Sequence, residues 1–319
     1  MQVMTRYLTA LLLICAIASP ALSEQRPRPL GWALDAMRGG DFDVAERIAE
    51  RDGTVARDVI IWHRLRAAQG DFAQITDFIN RRPDWPGMDY LYRRSEPEVI
   101  KQGDDEIIAF FEQMPAQTPQ GVLAHARALS ARGLTGPAQA NLVLAWRTMP
   151  MNANSQADFL AAHAELLKPH HDARLDAMIW QRNYDEARQM YGVASAEAQA
   201  AAESRIAFYR RLDSAVSTYE SLPAKLKITG GVNHARFEWR ARSGRDEDAK
   251  DLMLEASKTV EGLGNPAAWG NRRRALARDE MRNGDPARAY IMAAQHQLIE
   301  GSDFADLEWL AGYIALRYL

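Results

Sequence analysis

Apolar residues recur along this chain at helical spacing. Phe72, Ile75, Phe78 and Ile79 fall at i, i+3, i+6 and i+7, and Tyr184, Ala187, Met190 and Tyr191 repeat that arrangement. Ala287, Tyr290, Ile291, Ala294 and Leu298 fall at i, i+3, i+4, i+7 and i+11. Positions three and four apart share one face of an α-helix, so each run carries one apolar stripe. Alternating strand-type runs are essentially missing, and Val59-Ile60-Ile61 reads as part of a helix ending near Gln69.

Short polar breaks separate these runs. They are Gly39-Gly40-Asp41-Phe42, Gly70-Asp71-Phe72, Gly103-Asp104-Asp105, Gly133-Leu134-Thr135, Arg182-Asn183-Tyr184-Asp185, Arg211-Leu212-Asp213, Gly244-Arg245-Asp246 and Gly284-Asp285-Pro286. Most lie about 30 residues from the next, close to the length of one helix-turn-helix unit. The longer interval from Gly133 to Arg182 holds an extra helix or a longer loop around Met149 to Ser155. Glycine can take the left-handed conformation that closes a helix, and an Asp after it can accept from the free N–H groups of the next. Pro286 suits a first helical turn, where its missing donor costs nothing. Ala45, Ala138, Ala187, Ala215, Ala249 and Ala287 sit just past the breaks, where small side chains let two helices approach closely. A helix pair cannot bury its stripe alone, so neighbours stack. The pattern therefore predicts an all-α fold, a superhelical solenoid of stacked helix-turn-helix pairs of tetratricopeptide-like kind.

The N-terminus changes the compartment. Arg6 is the only charge before the apolar run Leu8 to Ala18, and the small residues Ala21 and Ser23 suit cleavage after Ser23. That is the layout of a secretory signal peptide over 1–23, leaving a repeat domain over 24–319 outside the cytoplasm. Cys15 is the only cysteine, so a chain cut after Ser23 has neither disulfides nor thiol chemistry. The balance of 39 basic to 42 acidic residues, net −3, argues against a nucleic-acid surface. No later apolar stretch is long enough to cross a membrane.

Catalytic signatures are scarce. His170-His171-Asp172 is the only local histidine cluster, and adjacent residues do not share a helix face, which weakens a metal reading. Gly262-Leu263-Gly264-Asn265-Pro266 lacks the residues of a phosphate loop and reads as a connection between helices. Glu220-Ser221 reads as an exposed helix end. No catalytic residue, metal ligand or cofactor site is assigned. Trp62, Trp146, Trp180, Trp239, Trp269 and Trp309 lie in helical runs and are expected in the core. Trp85 differs, standing in the Pro-bounded connection Arg81-Arg82-Pro83-Asp84-Trp85-Pro86. It reads as a plug over a helix end or, with Arg81 and Arg82, as a sugar-stacking or docking surface. Arg272, Arg273 and Arg274 form a second basic spot that faces an anionic ligand or water.

Three stretches carry a family resemblance: Phe78 to Pro86, His170 to Asp176, and Phe304 to Tyr313. With the leader and the repeat, the chain resembles the N-terminal α-superhelical part of the soluble lytic murein transglycosylases. The resemblance implies a periplasmic protein that works on peptidoglycan glycan strands. Family members cleave the β-1,4 bond between N-acetylmuramic acid and N-acetylglucosamine, leaving 1,6-anhydro ends. The lysozyme-like catalytic domain of that family, with its Glu-Ser pair and Gly-Leu-Met-Gln motif, has no counterpart here, so a separate or lost catalytic domain is an expected partner. An array cut within a helix pair leaves its stripe uncovered, which places Tyr313, Ile314 and Leu316 at the surface. The alternative is an independent periplasmic adaptor of tetratricopeptide-like kind that binds proteins.

Overall fold

The computed structural model describes residues 29–319, and the expected leader over 1–23 lies outside the described residues. All regular structure among the described residues is helical. The chain divides into two compact units, one ending at Thr118 and one running Pro119–Leu319.

The first unit holds α1 (Pro29–Arg38), α2 (Phe42–Ala49), α3 (Thr54–Arg66), α4 (Phe72–Arg81), α5 (Met88–Val99) and α6 (Asp104–Gln113). Each packs on its neighbours in the chain: α1 on α2 and α3, α3 on α4 and α5, α5 on α6. Ala33, Ala45, Ala49, Ala56 and Ile60 form the core where α1, α2 and α3 meet. The stripe expected on α4 is the face it buries, through Ile75, Phe78 and Ile79.

The second unit opens with α7 (Pro119–Ala131), α8 (Thr135–Thr148), α9 (Ala153–Leu167), α10 (His171–Trp180), α11 (Tyr184–Gln189) and α12 (Ala196–Arg210). It continues with α13 (Ala215–Glu220), α14 (Ala224–Lys227), α15 (Gly230–Arg242), α16 (Asp246–Ala256) and α17 (Val260–Leu263). It closes with α18 (Pro266–Asn283), α19 (Pro286–Ala294) and α20 (Gly301–Tyr318). Contact again passes along the chain, α8 to α10 to α12 to α15 to α16 to α19, with α18 and α20 flanking α19. The long interval between Gly133 and Arg182 holds the additional helix α9.

One turn recurs. Gly40 N–H donates to Met37 O at 2.9 Å and Asp41 N–H to Ala36 O at 3.1 Å, the double closure that ends many helices. The same pair of bonds forms at Ala68 and Gln69, Gly133 and Leu134, Arg182 and Asn183, and Arg211 and Leu212. The first residue of each pair is left-handed, with φ of +86° at Gly40 and +77° at Gly133 but also +58° at Ala68, +66° at Arg182 and +54° at Arg211. At the second break, then, Ala68 makes the turn and Gly70 does not. The closing bonds hold a conformation that costs a side-chain-bearing residue ~1–2 kcal/mol.

The expected alanines occupy a fixed place. Ala45, Ala138, Ala187 and Ala249 donate to the carbonyls of the helix-entry residues Asp41, Leu134, Asn183 and Arg245, and all four are buried. In the last break the position belongs to Ala289, which bonds Asp285 O, while Ala287 is exposed. Side-chain caps are less general than the sequence suggested. Asp41, Asp71 and Asp285 each accept from a first-turn N–H, but Leu134, Asn183 and Arg245 cap nothing.

Two corrections concern the last helix. Leu307, Leu310, Ala311 and Ile314 face inward, so Ile314 is buried, not exposed. Trp309 lies on the opposite face and is 61% exposed, not in the core; it stacks on Tyr313 at 5.4 Å, and Leu316 beside them is 92% exposed.

Candidate functional site

The first unit gathers aromatics and arginines around the loop that follows α4. Trp85 packs edge-on against Phe78 at 5.9 Å, with the Arg82 guanidinium 5.3 Å from its ring centre. Arg81 and Arg82 both turn to Asp58, a buried carboxylate on α3, at 2.9 and 2.7 Å. The connection is therefore pinned at its start, and Trp85 plugs the end of α4 while remaining part-exposed.

Beyond Trp85 the chain reaches a feature that the sequence reading missed. Trp62 Nε1 donates to Pro86 O at 3.0 Å, so a tryptophan expected in the core instead holds the loop. The Arg66 guanidinium lies 4.3 Å from the Trp62 ring and 4.8 Å from the half-exposed Tyr90 ring, and Arg93 lies 5.5 Å from Tyr90. Gly87, with φ of +70°, sits against Trp62 and Arg66 and lets the loop turn there. The result is a fixed surface of flat rings and cations. The alternation of aromatic and arginine in Tyr90-Leu91-Tyr92-Arg93-Arg94 was the available signal for it.

The other predicted residues do not converge. Successive helical residues point about 100° apart, which separates Arg272, Arg273 and Arg274. Arg272 faces Glu238, and Arg274 pairs with Asp303 and Asp306 at 3.1 and 2.6 Å. Arg273 is only 1% exposed and donates to Met292 O, Gln295 O and Ser257 Oγ, so it belongs to the interior and not to a surface spot. Arg174 does the same for α8, its Nη1 donating to Trp146 O at 2.7 Å and Met149 O at 2.9 Å. Burial pushes both guanidinium groups down to about 10.

His171 is buried edge-on against Trp146, and burial holds its imidazole below the ordinary value. Asp172 instead accepts from Ser195 N and Oγ at the start of α12. Glu220 and Ser221 end α13 at the surface. Among the described residues no group of His, Cys, Asp and Glu is arranged to hold a metal, and no helix is long and apolar enough to cross a membrane.

The class these observations define is an all-helical protein of sequentially packed helices with an aromatic–arginine surface on its first unit. No protein-family model, curated protein or solved structure matches the chain.

Proposed function

We propose that this chain is a periplasmic, peptidoglycan-associated scaffold, a superhelical solenoid of helix pairs resembling the non-catalytic part of a lytic murein transglycosylase. The observation that carries the reading is the surface of Trp62, Arg66, Tyr90 and Arg93, with Trp85 and Arg82 nearby. Pyranose rings present apolar C–H faces to flat aromatic rings, and arginines answer carboxylates on the attached peptides. The recurring turn and the packing of helices on chain neighbours support the solenoid. Chemistry on the glycan falls to a catalytic domain outside this chain.

Co-sedimentation with purified sacculi tests the proposal. The wild-type chain is expected in the pellet, with retention falling severalfold for Tyr90→Ala combined with Arg66→Ala and falling again in high salt. Wild-type protein left in the supernatant, or a double variant retained as well as wild type, overturns the reading. A protein adaptor is the second reading, favoured by the exposed Trp309–Tyr313 stack beside Leu316. It predicts capture of a periplasmic protein that Trp309→Ala abolishes.

A further inference from the structure

Side chains of α18 and α20 border a cleft of about 350 Å³ in the Pro119–Leu319 unit. Met281 and the rings of Trp309, Tyr313 and Tyr318 form its apolar wall, and Arg278 and Arg282 its polar one. Trp309, Tyr313 and Leu316 stand at i, i+4 and i+7 on α20 and carry the apolar face outward; all three are exposed. A contiguous apolar face of this kind marks a contact surface, unlike an isolated exposed side chain.

The charge around the cleft is one-sided. Arg274, Arg278 and Arg282 fall at i, i+4 and i+8, one row along α18. The first two reach Asp306 of α20 at 2.6 and 3.4 Å. The side chain of Arg282, one turn on and exposed at the cleft, makes no ion pair or hydrogen bond among the described residues. Arg317 extends the row Trp309–Tyr313 by one turn of α20 and is likewise exposed and unpaired among the described residues. No carboxylate lines the cleft. Elsewhere in this unit, packed helices are tied by a cation of one and a carboxylate of the other. Arg205 of α12 pairs with Asp176 of α10, Lys250 of α16 with Glu280 of α18, and Arg288 of α19 with Asp251 of α16. By that pattern the two open arginines call for acids on a further helix.

Gly312 gives a second, independent sign. It lies three residues after Trp309 and four before Leu316, so it neighbours both on the helix surface. Glycine inside a helix is destabilising relative to alanine. Nothing in this chain requires it there, because a Cβ on Gly312 would meet no atom within 4 Å. The missing side chain instead leaves the α20 backbone open to close approach from outside.

We propose that this face docks an acidic amphipathic helix of a partner protein, which rests on the adaptor reading and supplies the partner's chemistry. Its apolar side chains enter the cleft between α18 and α20, its backbone crosses α20 at Gly312, and its carboxylates answer Arg282 and Arg317. A helix laid in a groove anchors through side chains at i, i+3 or i+4 and i+7, which is what a cleft between two helices receives. A lipid surface offers no side chains to fill it.

Fluorescence anisotropy of labelled synthetic helices with the full chain tests this. Two peptides share leucines at i, i+3, i+4 and i+7 and differ only in carrying Glu or Lys on the flanks. The Glu peptide is expected to bind about tenfold more tightly, with the gap narrowing in high salt. Arg282→Glu combined with Arg317→Glu is expected to reverse that preference, and Trp309→Ala to weaken both peptides. All three side chains are exposed, so the circular dichroism spectrum is expected to stay unchanged. Gly312→Leu is expected to weaken binding severalfold while raising the melting temperature, an opposition that a structural glycine would not give. Equal binding of the two peptides, lost in Trp309→Ala, overturns the acidic helix and leaves the adaptor reading standing. Silence from both peptides also overturns the proposal, whereas the adaptor reading falls only if no periplasmic protein is captured through Trp309. The proposal falls as well if Trp309→Ala breaks up a dimer of this chain, or if the face binds phosphatidylglycerol vesicles in place of the peptides.

Discussion

The two units tie their helices together with opposite placements of charge. In the first unit the cation stays half in water: Arg81 and Arg82 are 40% and 30% exposed at their side chains and reach in to the buried carboxylate of Asp58. In the second unit the cation itself goes inside, as Arg174, Arg205, Lys250 and Arg273 are all buried. A half-exposed arginine is cheap to desolvate and, with two sharing one acid, each is replaceable. A buried cation costs several kcal/mol to desolvate, so losing any partner it has is expensive. The second unit should therefore be the less tolerant of single substitutions at its charged ties.

Lys250 offers the hardest test. Its ammonium bonds Glu280 at 2.7 Å, Glu247 at 2.9 Å and Asp279 at 3.2 Å, joining α16 to α18. Burial pulls the Lys250 ammonium down, but the bonds from these carboxylates outweigh that and hold it above the ordinary lysine value. Lys250→Met leaves the buried Glu280 with only the longer contacts from Arg288 at 3.5 Å and Asp285 N at 3.3 Å, and is expected to cost ~3 kcal/mol in urea unfolding. A loss below ~1 kcal/mol would break the comparison.

Acid gives the next effect. His234 is buried between Tyr209 and Ala268, with Nδ1 2.9 Å from the Tyr209 hydroxyl and Nε2 3.2 Å from Ala268 O. The neutral ring satisfies both by donating from Nε2 to the carbonyl and accepting from the hydroxyl at Nδ1. Burial, reinforced by Arg182, pushes this imidazole down to about 3 from 6.5. The unfolded chain then binds the extra proton first, so stability is full above pH 6.5 and falls as the pH drops towards 3. The loss is expected to reach roughly 3 kcal/mol by pH 4, at ~1.4 kcal/mol per unit, and His234→Gln should flatten that slope.

Arg273→Met comes third. It relieves a buried charge but leaves Met292 O and Gln295 O without their donor, for a net loss of about 2 kcal/mol. The matching change in the first unit, Arg81→Ala, is expected to cost under ~1 kcal/mol, because Arg82 keeps Asp58 paired. Equal losses from the two substitutions would erase the distinction between the units.

The helices were legible in the sequence because their spacing is a direct record of which face is buried. Ile75, Phe78 and Ile79 were placed correctly by that means alone. The closing turns were legible where glycine made them, at Gly40, Gly133 and Gly244, and not where Ala68 did, because there the local closing bonds to Leu65 O and Arg64 O hold a residue with a side chain in the left-handed backbone. Trp309 was misplaced although the stripe Leu307, Leu310, Ala311 and Ile314 already pointed away from it. Arg273 was read as surface because a run of three arginines suggests one patch, while helical geometry scatters them. The aromatic–arginine surface escaped notice because Trp62 and Tyr90 come together only when α3 meets α5.

The smallest expected effect concerns how helices start. Asp41 and Leu134 occupy the same turn, with φ, ψ of −94°, 78° and −86°, 57°. Asp41 accepts from Val44 N at 3.1 Å, whereas Leu134 accepts nothing. Leucine has no acceptor to offer, and the position three residues on needs none: it is Val44 in the first unit but Pro137 in the second, and proline has no N–H to satisfy. Asp41→Ala removes a real bond and is expected to cost ~1 kcal/mol, the usual worth of such a cap. Leu134 is 46% exposed, so Leu134→Ala should change urea stability by less than ~0.5 kcal/mol. Two turns with one backbone would then differ in stability through the capping bond that only the first makes, and a comparable loss in both variants would show that the entry side chain acts through packing instead.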